Sequence, residues 1–281
     1  MRMEESLILL VASAVLGAIL GSFINALSFR FNTGRTMGGR SKCMQCGHTL
    51  SAADLVPVCS YLFLRGRCRY CEARISPQYP LVELVAALLS VGVYALYPAP
   101  LLYALWLLVW MTILFIIVYD IRHTIIPWSA SFLLMALAVT SLFISGTPTL
   151  LAVLAGPLLA LPLFLLSLFS GGRWMGWGDS GFELSIGWFL GLTQGVTALM
   201  VGVWGGALVG VVLIAVQKIV KRLMSSKTSP TYTQKKAFLL SLTGFTMSSE
   251  IPFAPFLAFG MALVYFFHVD FFSTLPALWS F

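Results

Sequence analysis

Long apolar runs separated by short polar breaks constrain this chain more than any other feature of its sequence. Most runs have about the 20 residues with which a helix crosses the ~30 Å hydrocarbon core of a bilayer. The 182–192 run is shorter and suits a tilted or half-buried helix. The pattern predicts an all-α polytopic membrane protein with about eight transmembrane helices, at about 7–29, 80–97, 100–119, 126–144, 149–169, 182–192, 195–217 and 252–268.

The composition also indicates that membrane lipid surrounds most of the chain. The chain is 59% hydrophobic and 10% charged, with a mean hydropathy of +0.93, whereas soluble domains carry about 25% charged residues. These values exclude an ordinary soluble domain, a disordered chain and the usual basic nucleic-acid-binding domain. We therefore expect membrane lipid around the chain and no nucleic-acid partner. No small-residue cleavage site follows the first run, which favours a retained helix over a signal peptide.

One sizeable polar segment divides the chain into three parts. It covers residues 30–79, between the first and second runs. It holds eight of the basic residues and all five cysteines, four of which form two CxxC pairs. The sequence thus predicts a first transmembrane helix at 1–29, a small domain at 30–79, called here the cysteine domain, and a seven-helix membrane domain at 80–281.

The distribution of basic residues predicts the orientation in the membrane. If eight spans alternate from an outside N-terminus, 16 of the 17 Lys and Arg residues fall on the inside, and Arg2 is the exception. Because Lys and Arg are retained in cytoplasmic loops, both termini are expected outside and the cysteine domain in the cytoplasm. A multi-pass protein of the inner membrane follows from this arrangement.

The two CxxC pairs predict a structural zinc site. Four thiolates complete the tetrahedral shell that structural zinc takes, and so small a domain gains stability from a metal. Four free thiols, or a redox CxxC pair, are the alternatives. Cys59 is expected to pack as a small hydrophobe, and His48 is a possible substitute ligand. The predicted zinc ligands are Cys43, Cys46, Cys68 and Cys71.

Two aspartates at membrane depth are candidate catalytic groups, since ionisable side chains there are costly. Asp120 ends an apolar run, and Asp179 follows Gly176 and Gly178 in a GxGD element. Two facing carboxylates share a proton, so that one activates water and the other protonates the carbonyl oxygen or leaving amine. The glycines open the backbone beside Asp179. The alternatives are capping or snorkelling aspartates, or a proton-coupled transporter.

Glu83 and Glu183 are two further acids at the predicted membrane edge. Glu83 begins the second span, where a helix dipole favours a negative charge. The residues alone therefore leave Glu83 open between a helix-start charge and a functional group.

Motifs along nearly the whole chain resemble one family, the bifunctional type IV prepilin peptidases, which are leader peptidases and N-methyltransferases in one chain. They occur in the family's order, and together they are highly specific. The motifs are Gly21-Ser-Phe-Ile-Asn25, the two CxxC pairs, Asp54 to Tyr61, Leu64 to Cys71, Tyr79 to Glu83, Asp120 to Pro127, the GxGD element and Glu250 to Gly260.

The resemblance implies an aspartic endopeptidase that uses Asp120 and Asp179 to remove the leader of prepilins or pseudopilins. It further implies N-methylation of the new N-terminus from S-adenosylmethionine, with Gly66, Arg67 and Glu83 as the residues associated with methyl transfer. A peptidase-only enzyme is the alternative within the family. The chain departs from the family pattern twice, with Gly181 in place of a lysine and Trp128 in place of a polar residue.

Overall fold

The computed structural model describes residues 3–33, 38–144, 146–225 and 252–272, and its regular elements are helices. A 3-10 turn, Ala52–Leu55, and two isolated β-bridges lie in the cysteine domain. The predicted all-α class is confirmed. In chain order the helices are α1 (Met3–Arg30), α2 (Cys59–Phe63), α3 (Gln78–Leu96), α4 (Pro100–His123), α5 (Trp128–Ile144), α6 (Leu150–Ser170), α7 (Trp177–Ser225) and α8 (Ala254–Phe267).

The helices account for the predicted number of spans. Helices α1, α3, α4, α6 and α7 are long and apolar enough to cross a membrane, and α5 and α8 are shorter apolar helices. Helix α7 has 49 residues, which is about 73 Å and more than twice the hydrocarbon thickness. Its helical geometry is interrupted at Gly191, whose φ is 77°, so α7 is two helices joined at that residue. The described residues thus hold eight apolar helical segments.

Two boundaries of α7 differ from the sequence expectation. The gap between the predicted spans at 149–169 and 182–192 is shorter than expected, since α7 begins at Trp177 and therefore includes Asp179 in its first turn. At the other end α7 continues to Ser225, beyond residue 217, where the predicted span ends. Residues 226–251, which include the first two residues of the motif at 250–260, lie outside the described residues.

The structure divides into two compact units. The first contains Met1–Arg122 and Ile126–Pro148, and the second contains His123–Ile125 and Thr149–Phe281. Each unit is described by itself below.

In the first unit, α1 and α3 pack closely through small residues. A Cβ at Gly17 would lie 2.5 Å from the carbonyl oxygen of Ala86, and one at Gly21 would lie 2.8 Å from the Cα of Glu83. Glycine therefore permits a backbone approach that any side chain would block, as is typical of membrane helix pairs. Ser90 supports the same contact by donating a 2.6 Å hydrogen bond to the carbonyl of Ser13.

The second unit is built in the same way. A Cβ at Gly187 of α7 would lie 2.7 Å from the carbonyl oxygen of Ala155 in α6. The indole Nε1 of Trp188 donates to the carbonyl of Val153 at 2.9 Å. Farther along α7, a Cβ at Gly202 would lie 3.1 Å from the carbonyl oxygen of Phe256 in α8. These contacts fix the helix α7, whose first turn carries Asp179.

Candidate active site and metal centre

The four predicted zinc ligands come together in the first unit. Their sulfur atoms all lie within 4.8 Å of one another, and the Sγ atoms of Cys43 and Cys71 are 3.9 Å apart. Tetrahedral zinc with Zn–S bonds near 2.3 Å requires sulfurs about 3.8 Å apart. The spacing and chemistry of this donor set therefore fit zinc.

Each CxxC pair folds into the same tight turn, called here a cysteine knuckle. In the first knuckle, the N–H of Gly47 donates to the carbonyl of Cys43 at 2.9 Å. In the second, the N–H of Glu72 donates to the carbonyl of Cys68 at 3.0 Å. The residue after each pair has a positive φ, 71° at Gly47 and 56° at Glu72. The two knuckles therefore have the same backbone conformation, although a glycine follows the first CxxC pair and a glutamate follows the second.

The knuckles also resemble each other in the β-bridges that flank them, which pair Lys42 with Thr49 and Arg67 with Arg74. Hydrogen bonds from the first knuckle's backbone, with that of Cys46 the strongest, lower the pKa of the Cys43 thiol to about 6. A thiolate is thus favoured at one ligand position near neutral pH.

Asp54 joins the second knuckle to the rest of the cysteine domain. Its carboxylate accepts hydrogen bonds from the hydroxyl of Ser51 at 2.7 Å and from the phenol of Tyr70 at 3.1 Å. It also forms an ion pair with Arg69, Nε to Oδ1, at 2.7 Å. The hydrogen bonds from Ser51 are the main cause that lowers the pKa of Asp54. Asp54, the first residue of the Asp54–Tyr61 motif, is thus held by side chains of the cysteine domain.

Two smaller expectations have different outcomes. His48 stacks on Tyr70, with ring centroids 3.7 Å apart, and does not belong to the four-sulfur group. Cys59 is exposed, so the expectation that it packs as a small hydrophobe is wrong. The reason is its place at the start of the short helix α2, which leaves its side chain uncovered.

The residues associated with methyl transfer lie in different surroundings within the first unit. Glu83 is buried in α3, and its Oε2 accepts a 2.7 Å hydrogen bond from the backbone N–H of Val58. Gly66 and Arg67 line a cavity of about 480 Å³ together with Arg65 and Arg74. The structure thus places Glu83 against the cysteine domain, and it places Gly66 and Arg67 in an arginine-lined cavity.

Asp120 lies at the C-terminal end of α4, three residues before the helix ends at His123. Its side chain is buried, with 3% exposed. The preceding turn is held by aromatic contacts, since the Phe31 ring packs edge-on against Phe115 and Tyr119 at 5.5 and 5.8 Å. The end of α4 that carries the carboxylate is therefore packed against the end of α1.

Arg122, two residues after Asp120, ties the same helix end to two neighbours. Its guanidinium carbon lies 3.4 Å from the centroid of the Phe29 ring. Its NH2 group donates to the side chain of Gln78 at 3.0 Å. Helices α1 and α3 thus both hold the end of α4, which limits the motion of the Asp120 carboxylate.

Asp179 is the third residue of α7. It therefore lies at the N-terminal end of its helix, whereas Asp120 lies at the C-terminal end of α4. The Oδ2 of Asp179 accepts a 3.1 Å hydrogen bond from the backbone N–H of Gly176. A Cβ on Gly176 would lie 3.0 Å from that oxygen, so glycine leaves the carboxylate room beside the backbone. Ser167 of α6 donates to the carbonyls of Met175 and Gly176 at 3.2 and 3.3 Å. The turn before Asp179 is therefore fixed by α6.

The full burial of the Glu183 side chain was not predicted from the sequence. Glu183 was expected at the membrane edge, yet it is fully buried in α7, one turn after Asp179. In the part of the chain that the structure describes, neither of its carboxylate oxygens has a hydrogen-bond partner. Its neighbours Phe182 and Ile186 are also fully buried. The only available sequence signal was an acid inside an apolar run.

The two aspartates belong to different units, Asp120 to the first and Asp179 to the second. Each is buried at the end of a helix long enough to span a membrane. Their pairing remains a prediction, as does the role of Gly178.

Residues 15–97 match the family model described as the bacterial peptidase A24 N-terminal domain. A prepilin leader peptidase/N-methyltransferase of Aeromonas hydrophila is 35% identical over 62% of this chain and 62% of its own length. Proteins of the same name from Burkholderia pseudomallei strains K96243 and 1026b are 28% and 30% identical. The match to the K96243 protein covers 95% of this chain and 88% of that relative, and the match to the 1026b protein covers 84% of this chain and 70% of that relative. No solved structure matches the chain. With an identity of 30% over more than two thirds of a relative, the chain belongs to the prepilin leader peptidase/N-methyltransferase family.

Proposed function

We propose that this protein cleaves the leader of type IV prepilin-like proteins at the cytoplasmic membrane boundary and methylates the new N-terminus. The observation that carries the proposal is a pair of buried aspartates, each at the end of a membrane-length helix. Asp120 and Asp179 are the proposed catalytic residues. Family membership supports the substrate class, since the relatives are named prepilin leader peptidases.

The two helix ends suggest different roles for the two carboxyl groups. Asp179 lies in the first turn of α7, where unpaired N–H groups concentrate partial positive charge, and it accepts a hydrogen bond from the N–H of Gly176, just before the helix. Asp120 lies in the last turn of α4, where carbonyl groups concentrate partial negative charge. We assign the ionised, base role to Asp179 and the protonated, acid role to Asp120.

In this mechanism Asp179 takes a proton from a water molecule, whose oxygen attacks the carbonyl carbon of the scissile peptide bond. Asp120 donates its proton to the carbonyl oxygen. The tetrahedral intermediate then collapses: the C–N bond breaks, the proton held by Asp179 passes to the leaving amine, and one hydroxyl proton of the intermediate returns to Asp120 as the C=O bond reforms. The products are the leader's carboxylate and the free N-terminus of the mature chain.

The predicted topology explains why a pilin-like substrate suits this site. Such a substrate has a basic leader followed by an apolar helix, so its cleavage point lies where the helix leaves the cytoplasmic face. Both aspartates lie at helix ends predicted on that face. Prepilins and pseudopilins are therefore the expected partners, with the apolar part of the substrate in the bilayer.

For methyl transfer, we propose S-adenosylmethionine as the donor, on the basis of the family. When bound, it supplies an electrophilic methyl group on a sulfonium for the new amine. Gly66, Arg67 and Glu83 are the proposed residues. The buried Glu83 carboxylate complements a cation, whereas Arg67 lies among other arginines and complements an anion. The residues around Gly66 and Arg67 thus do not by themselves fit the cationic donor.

We also propose one structural zinc ion per chain, held by Cys43, Cys46, Cys68 and Cys71. Metal analysis of the purified protein is expected to find one zinc, lost together with folding of the cysteine domain when a ligand is replaced by serine. Four freely alkylated thiols without zinc would contradict this site. Cleavage is expected to suffer less than methylation, since Asp120 and Asp179 are in other helices.

The test of the peptidase is mass spectrometry of a prepilin co-expressed with each variant. Asp120→Asn and Asp179→Asn are expected to abolish cleavage while the protein still inserts in the membrane, because a carboxamide cannot pass the shared proton. Asp270→Asn is the matched control, since Asp270 lies after α8 and accepts a local hydrogen bond from Phe272. Substantial cleavage by either catalytic variant would refute the aspartic mechanism.

The same spectra separate the alternatives. A cleaved prepilin without the added methyl group identifies a peptidase-only enzyme. An uncleaved prepilin with the purified wild-type protein in detergent would favour the proton-coupled transporter, for which paired membrane carboxylates are also typical.

A further inference from the structure

The cavity beside the second cysteine knuckle has the chemistry of an anion site. Its volume is about 480 Å³, and Arg65, Arg67 and Arg74 line it with Tyr61 and Gly66. Among the residues that the structure describes, no acidic side chain lines it. Within the described ranges these three arginines form no ion pair, whereas the neighbouring Arg69 is paired with Asp54. Three cationic groups at one concavity repel each other unless an anion joins them.

The backbone brings these arginines together. The β-bridge between Arg67 and Arg74 closes the loop that contains the second CxxC pair. Arg65 has a φ of 50° and Gly66 a φ of 68°, and a left-handed conformation is unfavourable for a residue with a Cβ. A Cβ at Gly66 would lie 2.9 Å from the hydroxyl of Tyr61. The turn is thus built tightly around Tyr61, with the charged side chains outward.

The position of α3 puts this cavity at the bilayer surface. Helix α3 has 19 residues, about 28 Å, which nearly equals the hydrocarbon thickness. Its first residue, Gln78, therefore lies near the boundary of the hydrocarbon core. Pro77, which lines the cavity, directly precedes it. The cavity is then at the level of the headgroup layer, which is about 5–8 Å thick on each side.

The segment that leads into the cavity carries exposed apolar side chains. Leu62 is 68% exposed and Phe63 is 87% exposed. The segment is docked on α3 by the hydrogen bond from Val58 to Glu83, five residues after Gln78. Val58 has a φ of 60°, which a β-branched residue rarely adopts. Apolar side chains beside arginines suit the boundary between lipid tails and headgroups.

We propose that the cavity lined by Arg65, Arg67 and Arg74 binds the phosphate headgroup of an anionic phospholipid, with Leu62 and Phe63 in contact with its acyl chains. Charge decides against the methyl donor as the occupant, since S-adenosylmethionine carries a sulfonium and an ammonium against one carboxylate. The lipid would fix the cysteine domain to the membrane surface. This lipid site goes beyond the proposed peptidase and methyltransferase activities. It shares Gly66 and Arg67 with the residues proposed for methyl transfer, so the variants below change Arg65 and Arg74 instead.

The test is native mass spectrometry of the full-length protein in detergent, titrated with phosphatidylglycerol or phosphatidylcholine of the same acyl chains. The wild type is expected to prefer phosphatidylglycerol. R65Q/R74Q is expected to weaken that binding about thirtyfold, since each basic residue near an anionic surface contributes roughly a factor of five. R40Q/K42Q is the matched control, because it removes two exposed charges of the same domain outside the cavity, and less than about a twofold loss is expected.

R65K/R74K keeps the charges and is expected to keep most of the binding. If R65Q/R74Q loses its zinc, the single variants serve instead, each with about a fivefold loss. Equal losses in R65Q/R74Q and R40Q/K42Q, or equal binding of phosphatidylcholine, would overturn the proposal. Displacement of phosphatidylglycerol by inorganic phosphate, S-adenosylmethionine or a prepilin peptide would also overturn it, since the occupant would then not be a lipid.

Discussion

Replacing Gly47 with alanine tests whether the left-handed turn after each CxxC pair sets the zinc affinity. Gly47 has a φ of 71°, and a Cβ there would meet no heavy atom within 4 Å. Steric clash is thus absent, and only the backbone conformation changes in energy. A left-handed conformation costs a residue with a Cβ about 1–2 kcal/mol. Alanine offsets about 0.4–1 kcal/mol of this by restricting the unfolded chain.

The net loss for Gly47→Ala is therefore about 1 kcal/mol, or about fivefold in zinc affinity, because metal binding and folding are coupled in so small a domain. The equivalent position of the second knuckle gives the opposite expectation. Glu72→Gly removes the left-handed penalty and is expected to tighten zinc binding about twofold to fivefold, after the entropy of glycine is subtracted.

The assay is competition for zinc between the full-length protein in detergent and a chromophoric chelator at neutral pH. Gly38→Ala is the matched control, because a Cβ at Gly38 also meets nothing within 4 Å and its φ lies outside the left-handed region. Less than about a twofold change is expected for it. Equal affinities of Gly47→Ala and Gly38→Ala would refute the reasoning, as would weaker binding by Glu72→Gly.

Three further predictions concern the second unit. Gly260→Ala is expected to destabilise the protein by about 1–3 kcal/mol, since its Cβ would meet a backbone carbonyl of α7. Gly205→Ala, whose Cβ has only an ordinary contact at 3.9 Å, is expected to be neutral or stabilising by up to about 1 kcal/mol, and thermal unfolding in detergent compares the two. Glu183→Leu is expected to raise the unfolding temperature, because it removes a buried carboxyl group without hydrogen-bond partners, and an unchanged or lower temperature would contradict this. Gly181→Lys is expected to speed prepilin cleavage and shift its pH–rate profile, since an ammonium two residues after Asp179 changes the local charge. An unshifted profile and an unchanged rate would show that the position does not tune the site.

The grouping of the four cysteines was predictable from sequence, whereas the shape of their turns was only half predictable. Two CxxC pairs supply the ligand set, and Gly47 after the first pair indicates a left-handed residue. The second pair is followed by Glu72, which has no such preference. Its turn is a consequence of the shared geometry around four sulfurs, which is a tertiary constraint.

The start of α7 was predicted late for a similar reason. Gly171, Gly172, Gly176 and Gly178 are all weak helix formers, so the sequence favours a loop as far as Asp179. Helix α6 overrides that preference, because the hydroxyl of Ser167 donates a hydrogen bond to the carbonyl of Met175 and the ring of Phe164 packs on Trp177 with centroids 5.8 Å apart. Contacts between helices, which the sequence does not show, thus decide where the catalytic candidate lies.

Two of the candidate functional acids share one physical setting, which explains both what the sequence predicts about buried acids and what it misses. A helix in lipid satisfies its own backbone, so backbone donors for a buried carboxylate occur only where a helix begins or another segment ends against it. Asp179 uses the N–H of Gly176, and Glu83 uses the N–H of Val58. Acids at run boundaries are therefore readable as functional candidates from sequence. Glu183 is fully buried without such a donor in the described residues, and the sequence pattern that marks helix ends gives no means of predicting an acid in that position.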